Sequence, residues 1–579
     1  MESRHWLHAG SAEELARQGC RVVTGAGHAV AVFAHEGRFY ALDNRCPHMG
    51  FPLAQGTVQD GLLICHWHHA RFDLASGDTF DLFAGDIPRF ETRTENGEVY
   101  VAAAAPERGE AERWSRRLDE ALEHNVRLVI ARSIIGMMNA GADYRDALRK
   151  GALFGMRNSA RGWDSALTIL TICANLQPWL GEDDRPLAMY QGLLHVADET
   201  AGRAPRFPIE PLGAGVDDPA RLKEWLRRFV NVRDAEAAER TLRTAIEAGV
   251  SREDVADMVF AAITEHLYVD TGHTIDFAMK AFELLEHVGW EHAPLALTSL
   301  VPQMISASRS EEQSQWRQPV DVSALVFEAR QELPRLREQG RRASAPWDGE
   351  DAIVERILSD DPASAIDALK AAVADGASPE QLGAAVAYAA FVRMARFHLS
   401  NEFADWNTVH HCVTTANAVH QALRRFDSDD LLRAVFDTAM SVYHARFLNI
   451  PSAAIPAPNG KGAGPAETLD GLLQAMDRQQ HVDEAGRQVG RYVDSGASDA
   501  ELLRALGNAL LREDSGFHQF QLAEAAFQQY ALRRGTAKGR VILIAAARFL
   551  SAHSPTVRAA GQTYRTAFRL HRGDQVFQE

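Results

Sequence analysis

The chain has 579 residues, too many for one core, and its 46% hydrophobic, 24% charged composition is that of a globular protein of about two to four domains. With 61 basic against 78 acidic residues the net charge is −17, which argues against nucleic acid or an anionic membrane as partner. No run approaches the ~18 apolar residues of a membrane span. The N-terminus lacks the basic-then-apolar pattern of a secretory signal, and five scattered cysteines make no disulfide framework, so a cytoplasmic location is expected.

Residues 1–105 carry short alternating runs (RVVTG, AVAVFAHEG, RFYALDN, GEVYVAAA) separated by Gly, Asn and Asp, the pattern of β-hairpins. Residues 106–115 read as a polar linker. The hydrophobic period then becomes helical, with breaks near 331–350 and 451–468 that divide a large all-α domain into halves at 116–335 and 350–579. Four segments of this domain share a helix end, a small turn and a new helix start: NAGADYRDAL, EAGVSREDVA, DGASPEQLGA and SGASDAELLR. Gly ends one helix, and Ser251, Ser378 or Ser498 is placed to cap the next. The expected architecture is a small all-β domain followed by internally duplicated helical units.

Within the β region lie Cys46-Pro47-His48 and Cys65-His66-Trp67-His68. Cys-x-His followed by Cys-x-x-His is the ligand set of a Rieske [2Fe–2S] cluster, two thiolates on one iron and two imidazoles on the other. A zinc finger would place its histidines on a helix at three-to-five spacing, whereas these pairs sit between strands. Residues 1–105 resemble oxygenase-type Rieske ferredoxins, in Pro47, Gly50, Pro52-Leu53, Phe72-Asp73 and Gly77 as well as in the ligands. His69 stands where that family usually has Gly. The resemblance implies a lower-potential, oxygenase-associated cluster; His66 and His69 are expected to face solvent without a ligand role.

The helical region offers histidines at positions that follow the repeat. His273 opens HTIDFAMKAFELL, His518 opens HQFQLAEAAFQQY, and His411 is expected to begin HCVTTANAVHQAL. His195 and His444 each precede a proline-terminated segment. Imidazoles converging from several helices in a bundle core would form a mononuclear Fe(II) site with a position open to O₂. The candidate ligands are therefore His273, His411 and His518, assisted by His195 or His444, with His266 and His398 in reserve. Asp164, Asp270 and Asp276 are the carboxylates that could join them. Asp405, His410 and His411 match in type the two-His, one-carboxylate set of familiar Rieske oxygenases, but their helical neighbourhood does not suit that α+β domain. Lys280 lies two turns from His273; it reads either as a buried, carboxylated amine or as a surface lysine whose stem covers apolar neighbours, and the sequence favours the second.

On HTIDFAMKAFELL and HHCVTTANAVHQAL the helical region resembles the questin oxidase-like non-heme iron oxygenases. That resemblance implies several His ligands to iron, a carboxylated Lys in at least one member, and O₂-dependent cleavage of aromatic polyketide rings. The helix EHNVRLVIARSIIGMMNAGA departs from the family's His-rich start, having only His124. The expected function is a Rieske-dependent oxygenase, fed by an external NAD(P)H-linked reductase or ferredoxin and acting on an apolar or aromatic, polyketide-like substrate. The alternative is an electron carrier with a metal-free helical docking domain. A homo-oligomer is among the assemblies the sequence admits.

Overall fold

The computed structural model describes residues 5–25, 28–103, 110–213, 215–402, 404–457, 464–572 and 574. Residues 106–109 of the expected linker and 458–463 of the second expected break lie outside them.

The N-terminal part is a small β domain with strands β1 (Trp6–Ser11), β2 (Cys20–Gly25), β3 (His28–His35), β4 (Arg38–Asp43), β5 (Thr57–Gln59), β6 (Leu62–Ile64), β7 (Arg71–Asp73), β8 (Arg89–Phe90), β9 (Thr92–Glu95) and β10 (Glu98–Ala102). They form three antiparallel sheets, ordered β1-β10-β9, β2-β3-β4-β8 and β5-β6-β7. Both faces of β3 are covered, which explains its unbroken apolar run. Val30 and Val32 pack with Phe90, Val99 and Val101, while Ala31 and Phe33 pack with Leu53, Leu63 and Phe72.

Among the described residues a large helical region of 23 α-helices follows, and the chain is 62% helical overall. The expected break at 331 begins later. The helix Val322–Gly340 runs through Pro334, held by the buried Leu333 and Leu336 on either side of it.

The chain forms two compact units, one of residues 1–151, 189–202 and 559–579, the other of 152–188 and 203–558. In the first, the helices Glu110–Glu123 and Arg127–Asn139 join the β domain, and the C-terminal helix Ala559–Arg572 packs on Arg127–Asn139. In the second, the helices Ser165–Asn175, His273–Val288, Asp405–Arg425 and Phe517–Leu532 close a ring in which each packs on two others. Each lies downstream of one of the four repeated turns, whose Gly141, Gly249, Gly376 and Gly496 all have φ between 71° and 92°. Ser251 and Ser378 cap their helices as expected, whereas the Ser498 side chain makes no capping bond. His411 does not begin its helix. That helix starts at Asp405, so His411 sits in its second turn.

Lys280 is buried, as the first reading had it, and is not the surface lysine that the sequence favours. It is 1% exposed, and its Nζ donates to Glu283 Oε2 at 2.7 Å and Glu524 Oε2 at 2.6 Å. Burial opposes its charge, but the two carboxylates outweigh burial and hold the amine protonated, above its ordinary pKa. Asn175 Nδ2 donates to both carboxylates at 2.8 and 2.5 Å, and Gln521 Nε2 donates to Asp276 Oδ2 at 2.5 Å. Three buried carboxylates thus face Lys280 and the partly exposed Arg425. Burial pushes Glu524 up to about 7 and Asp276 to about 6, so the surplus negative charge is relieved by protonation.

Lys280→Met should lower the unfolding free energy by about 3–5 kcal/mol at pH 7, read by urea denaturation, because it strands two buried carboxylates. Asp276 holds its proton to about pH 6 in the folded chain but only to about pH 4 when unfolded. Its contribution is therefore full below pH ~4 and is lost, by up to about 3 kcal/mol, as pH rises through 6. Asp276→Asn should flatten that part of the stability–pH curve.

Candidate metal centres

The first centre lies on two loops of the β domain. Cys46 and His48 follow β4, on a turn closed by Cys46 N–H to Phe51 O (2.8 Å) and Gly50 N–H to Cys46 O (2.7 Å). Cys65 and His68 join β6 to β7, on a turn closed by Cys65 N–H to Ala70 O (2.9 Å) and His69 N–H to Cys65 O (3.0 Å). His69 has φ 59°, the left-handed region, which is the physical reason a glycine suits that position. The two thiols are buried and in hydrogen-bonding contact. The Cys46 contact and the backbone N–H groups of Trp67 and His68 hold Cys65 down to about 6, with burial opposing. Backbone N–H groups of His48 and Met49 are aimed at Cys46.

Facing the thiols, the His48 and His68 rings lie edge to face with centroids 4.5 Å apart. His48 Nδ1 is buried without a hydrogen-bond partner, and burial lowers this ring's pKa to about 4, leaving it in the neutral, ligating form. Paired sulfurs with amide donors and an orphaned imidazole nitrogen fit a [2Fe–2S] cluster held by Cys46, His48, Cys65 and His68. His66 and His69 are exposed, and His66 Nε2 contacts Thr57 Oγ1 at 2.6 Å.

The second centre lies in the helical ring. His273, His411 and His518 each offer a ring nitrogen, and the three atoms lie within 4.8 Å of one another. His411 Nε2 and His518 Nε2 are 3.3 Å apart. Two nitrogens each about 2.1 Å from one ion, at an angle of 90–110°, lie about 3.0–3.4 Å apart, so this spacing suits shared coordination. Asn407 Oδ1 accepts from His518 Nδ1 at 3.0 Å, which fixes the tautomer and leaves Nε2 free for a metal. Burial, with neighbouring imidazoles adding, lowers His273 to about 4 and His411 to about 3.

His273 owes its place to an unusual turn. Tyr268, Asp270, Thr271 and Gly272 all have φ between 42° and 89°. A Cβ on Gly272 would meet Thr415 Oγ1 at 1.7 Å, so only glycine lets this helix start so close to the His411 helix. Strain of this kind gathers at functional sites. Beside the turn is a cavity of about 400 Å³ lined by Tyr268, Trp316, His411, Tyr443, His444 and Phe447 among others.

His195 and His444 are not part of the three-histidine group. His195 belongs to the first compact unit and the group to the second, while His444 lines the cavity with its Nε2 buried and unpartnered. Asp164 caps Ser165 N–H at 2.7 Å. Asp270 is raised by burial and by the charge of Asp164, and Asp276 is committed to Gln521. His266 is engaged by Glu311 (2.6 Å) and Asn231 (3.0 Å), and His398 by Ser400 (2.6 Å). Sequence reasoning missed Asn407, and it set His410 aside together with the Asp405, His410, His411 set. His410 is fully buried with neither ring nitrogen partnered, its ring 4.6 Å from that of His518. The adjacent pair His410-His411 was the available signal.

Two thiols and two imidazoles on facing loops of a small β domain define an electron-transfer module of the Cys₂His₂ iron–sulfur class. Residues 5–87 match the model of the Rieske [2Fe–2S] domain. The ferredoxin component of the alkene monooxygenase system of Xanthobacter autotrophicus is 35% identical over 86 residues, 14% of this chain and 70% of that protein. The ferredoxin subunit of 3-phenylpropionate/cinnamic acid dioxygenase of Photorhabdus laumondii is 30% identical over 94 residues, 16% of this chain and 89% of that protein. Human apoptosis-inducing factor 3 is 37% identical over 76 residues, and the chain spans only 13% of its length. The chain belongs, through its N-terminal domain, to the Rieske [2Fe–2S] family. Among the described residues no helix is long and apolar enough to cross a membrane.

Cys65→Ser and His68→Ala should each abolish the Rieske-type paramagnetic resonance spectrum of the reduced protein and remove its acid-labile sulfide. Zinc in place of iron and sulfide in the purified wild-type chain would contradict the assignment.

Proposed function

We propose that the chain is a Rieske-coupled non-heme iron oxygenase. Its [2Fe–2S] domain takes single electrons from an external NAD(P)H-linked reductase or ferredoxin and supplies them to an iron held by His273, His411 and His518. The observation that carries this reading is the convergence of three half-buried imidazoles, from three helices of a closed ring, beside a cavity. Iron bound there supplies O₂ activation. The protein's own part is to keep the imidazoles neutral by burial, to orient His518 through Asn407, and to seat the substrate. The aromatic walls suit a flat apolar or aromatic ring of polyketide type. His444 Nε2 is placed to bond a substrate hydroxyl, and among the described residues the lining includes Arg446 but no carboxylate, which disfavours a cationic substrate.

A second reading, an electron carrier with a metal-free helical domain, draws support from two of the relatives above being ferredoxin components. Iron content separates the two: about three irons per chain for the oxygenase, about two for the carrier. His273→Ala, His411→Ala and His518→Ala should each lower iron from about three to about two per chain, leave the cluster spectrum intact and abolish O₂ uptake with substrate and reductase. If all three variants keep full iron and full activity, the histidines are packing residues and the oxygenase reading falls.

A further inference from the structure

In the first compact unit the cluster loops are gripped by two buried arginines from the helices that follow the β domain. Arg117, on Glu110–Glu123, donates to Leu82 O (3.1 Å) and Ala84 O and pairs with Glu120. Arg132, on Arg127–Asn139, donates Nη1 to Pro47 O, the carbonyl between the ligands Cys46 and His48. The two differ in what balances their charge. Arg132 is 9% exposed, its guanidinium lies 5.4 Å from the Trp114 ring centroid, and its Nε has no hydrogen-bond partner. Among the described residues it has no carboxylate partner; besides Trp114, its one polar contact is the Pro47 carbonyl.

An unpaired cation is costly to bury, and here its electrostatic complement is Cys46. An oxidised [2Fe–2S] core carries two positive charges, which two thiolates cancel, and neutral imidazoles add nothing. One added electron makes the centre an anion. A buried guanidinium beside Cys46 therefore has little to balance in the oxidised state and a partner in the reduced one, and low local polarity strengthens that difference.

We propose that Arg132, a residue of the helical region, is a positioning and tuning residue of the cluster: it raises the reduction potential by providing the buried counter-charge to the reduced centre. This stands on the Rieske assignment alone and is independent of the iron proposed in the helical ring. Burial lowers the pKa of Arg132 only to about 10, so the charge is present at neutral pH.

The test is a mediated redox titration of the full-length chain, followed by the paramagnetic resonance signal of the reduced cluster. Arg132→Met removes charge and donor; Arg132→Gln removes the charge but keeps a donor for Pro47 O; Arg132→Lys keeps the charge. In both neutral variants the reduced-to-oxidised ratio at a fixed potential should fall at least tenfold, a downward shift of about 59 mV or more. Arg132→Lys should stay nearer wild type, and Arg117→Met, which removes an arginine already paired with Glu120, should shift less than Arg132→Met. A wild-type potential in either neutral variant with an intact cluster overturns the proposal. So does a fall in Arg132→Lys equal to that in Arg132→Gln. Loss of the cluster in both neutral variants, with the lysine variant loaded, would leave Arg132 a structural residue and equally refute tuning.

Discussion

Lys280 is clamped by Glu283 of its own helix and by Glu524 of the helix that carries His518. Much of the helical ring depends on that contact. Two apolar helices can slide by a turn, about 5.4 Å, at little cost if only packing holds them. Here a slip would strand buried ions, each of which costs several kcal/mol without its partner. The Asp276–Gln521 bond repeats the constraint nearer the histidines, and Asn175 extends it to a third helix. The register that satisfies these groups is the one that presents His273 to His411 and His518.

The two centres solve opposite electrostatic problems. The cluster loops surround sulfur with amide N–H groups and place an arginine behind Cys46, an environment that tolerates added negative charge. The histidine group sits among rings instead: Phe277 and Phe517 lie 5.8 and 5.3 Å from His273. Its anchoring comes from Asn407 and from the left-handed turn before His273 rather than from charge. A neutral surrounding keeps imidazole deprotonated and therefore able to bind a metal.

What could be read without coordinates was whatever a short stretch of chain carries by itself. The cluster ligands were legible because Cys-x-His and Cys-x-x-His on hairpin loops place four donors locally. His273, His411 and His518 were legible only through the repeated glycine turns, which implied that equivalent helices meet. Lys280 was misjudged because its burial depends on Glu524, far along the chain, and nothing in AMKAFELL announces that partner. Asn407 and Arg132 were invisible for the same reason. His69, a departure from the family pattern, became intelligible once its backbone angle was known.

The cluster-bearing unit is assembled from both ends of the sequence. The helix Ala559–Arg572 packs on Arg127–Asn139, and its Leu570 and His571 line a pocket with Cys46, Trp114 and Arg132. A ribosome adding roughly 5–20 residues per second needs on the order of tens of seconds between the cysteine ligands and this last helix. Throughout that interval the loop holding Cys46 lacks one wall. Closure of that wall thus waits on synthesis of residues 559–572, and a nascent chain stalled short of residue 559 would display an unfinished cofactor site.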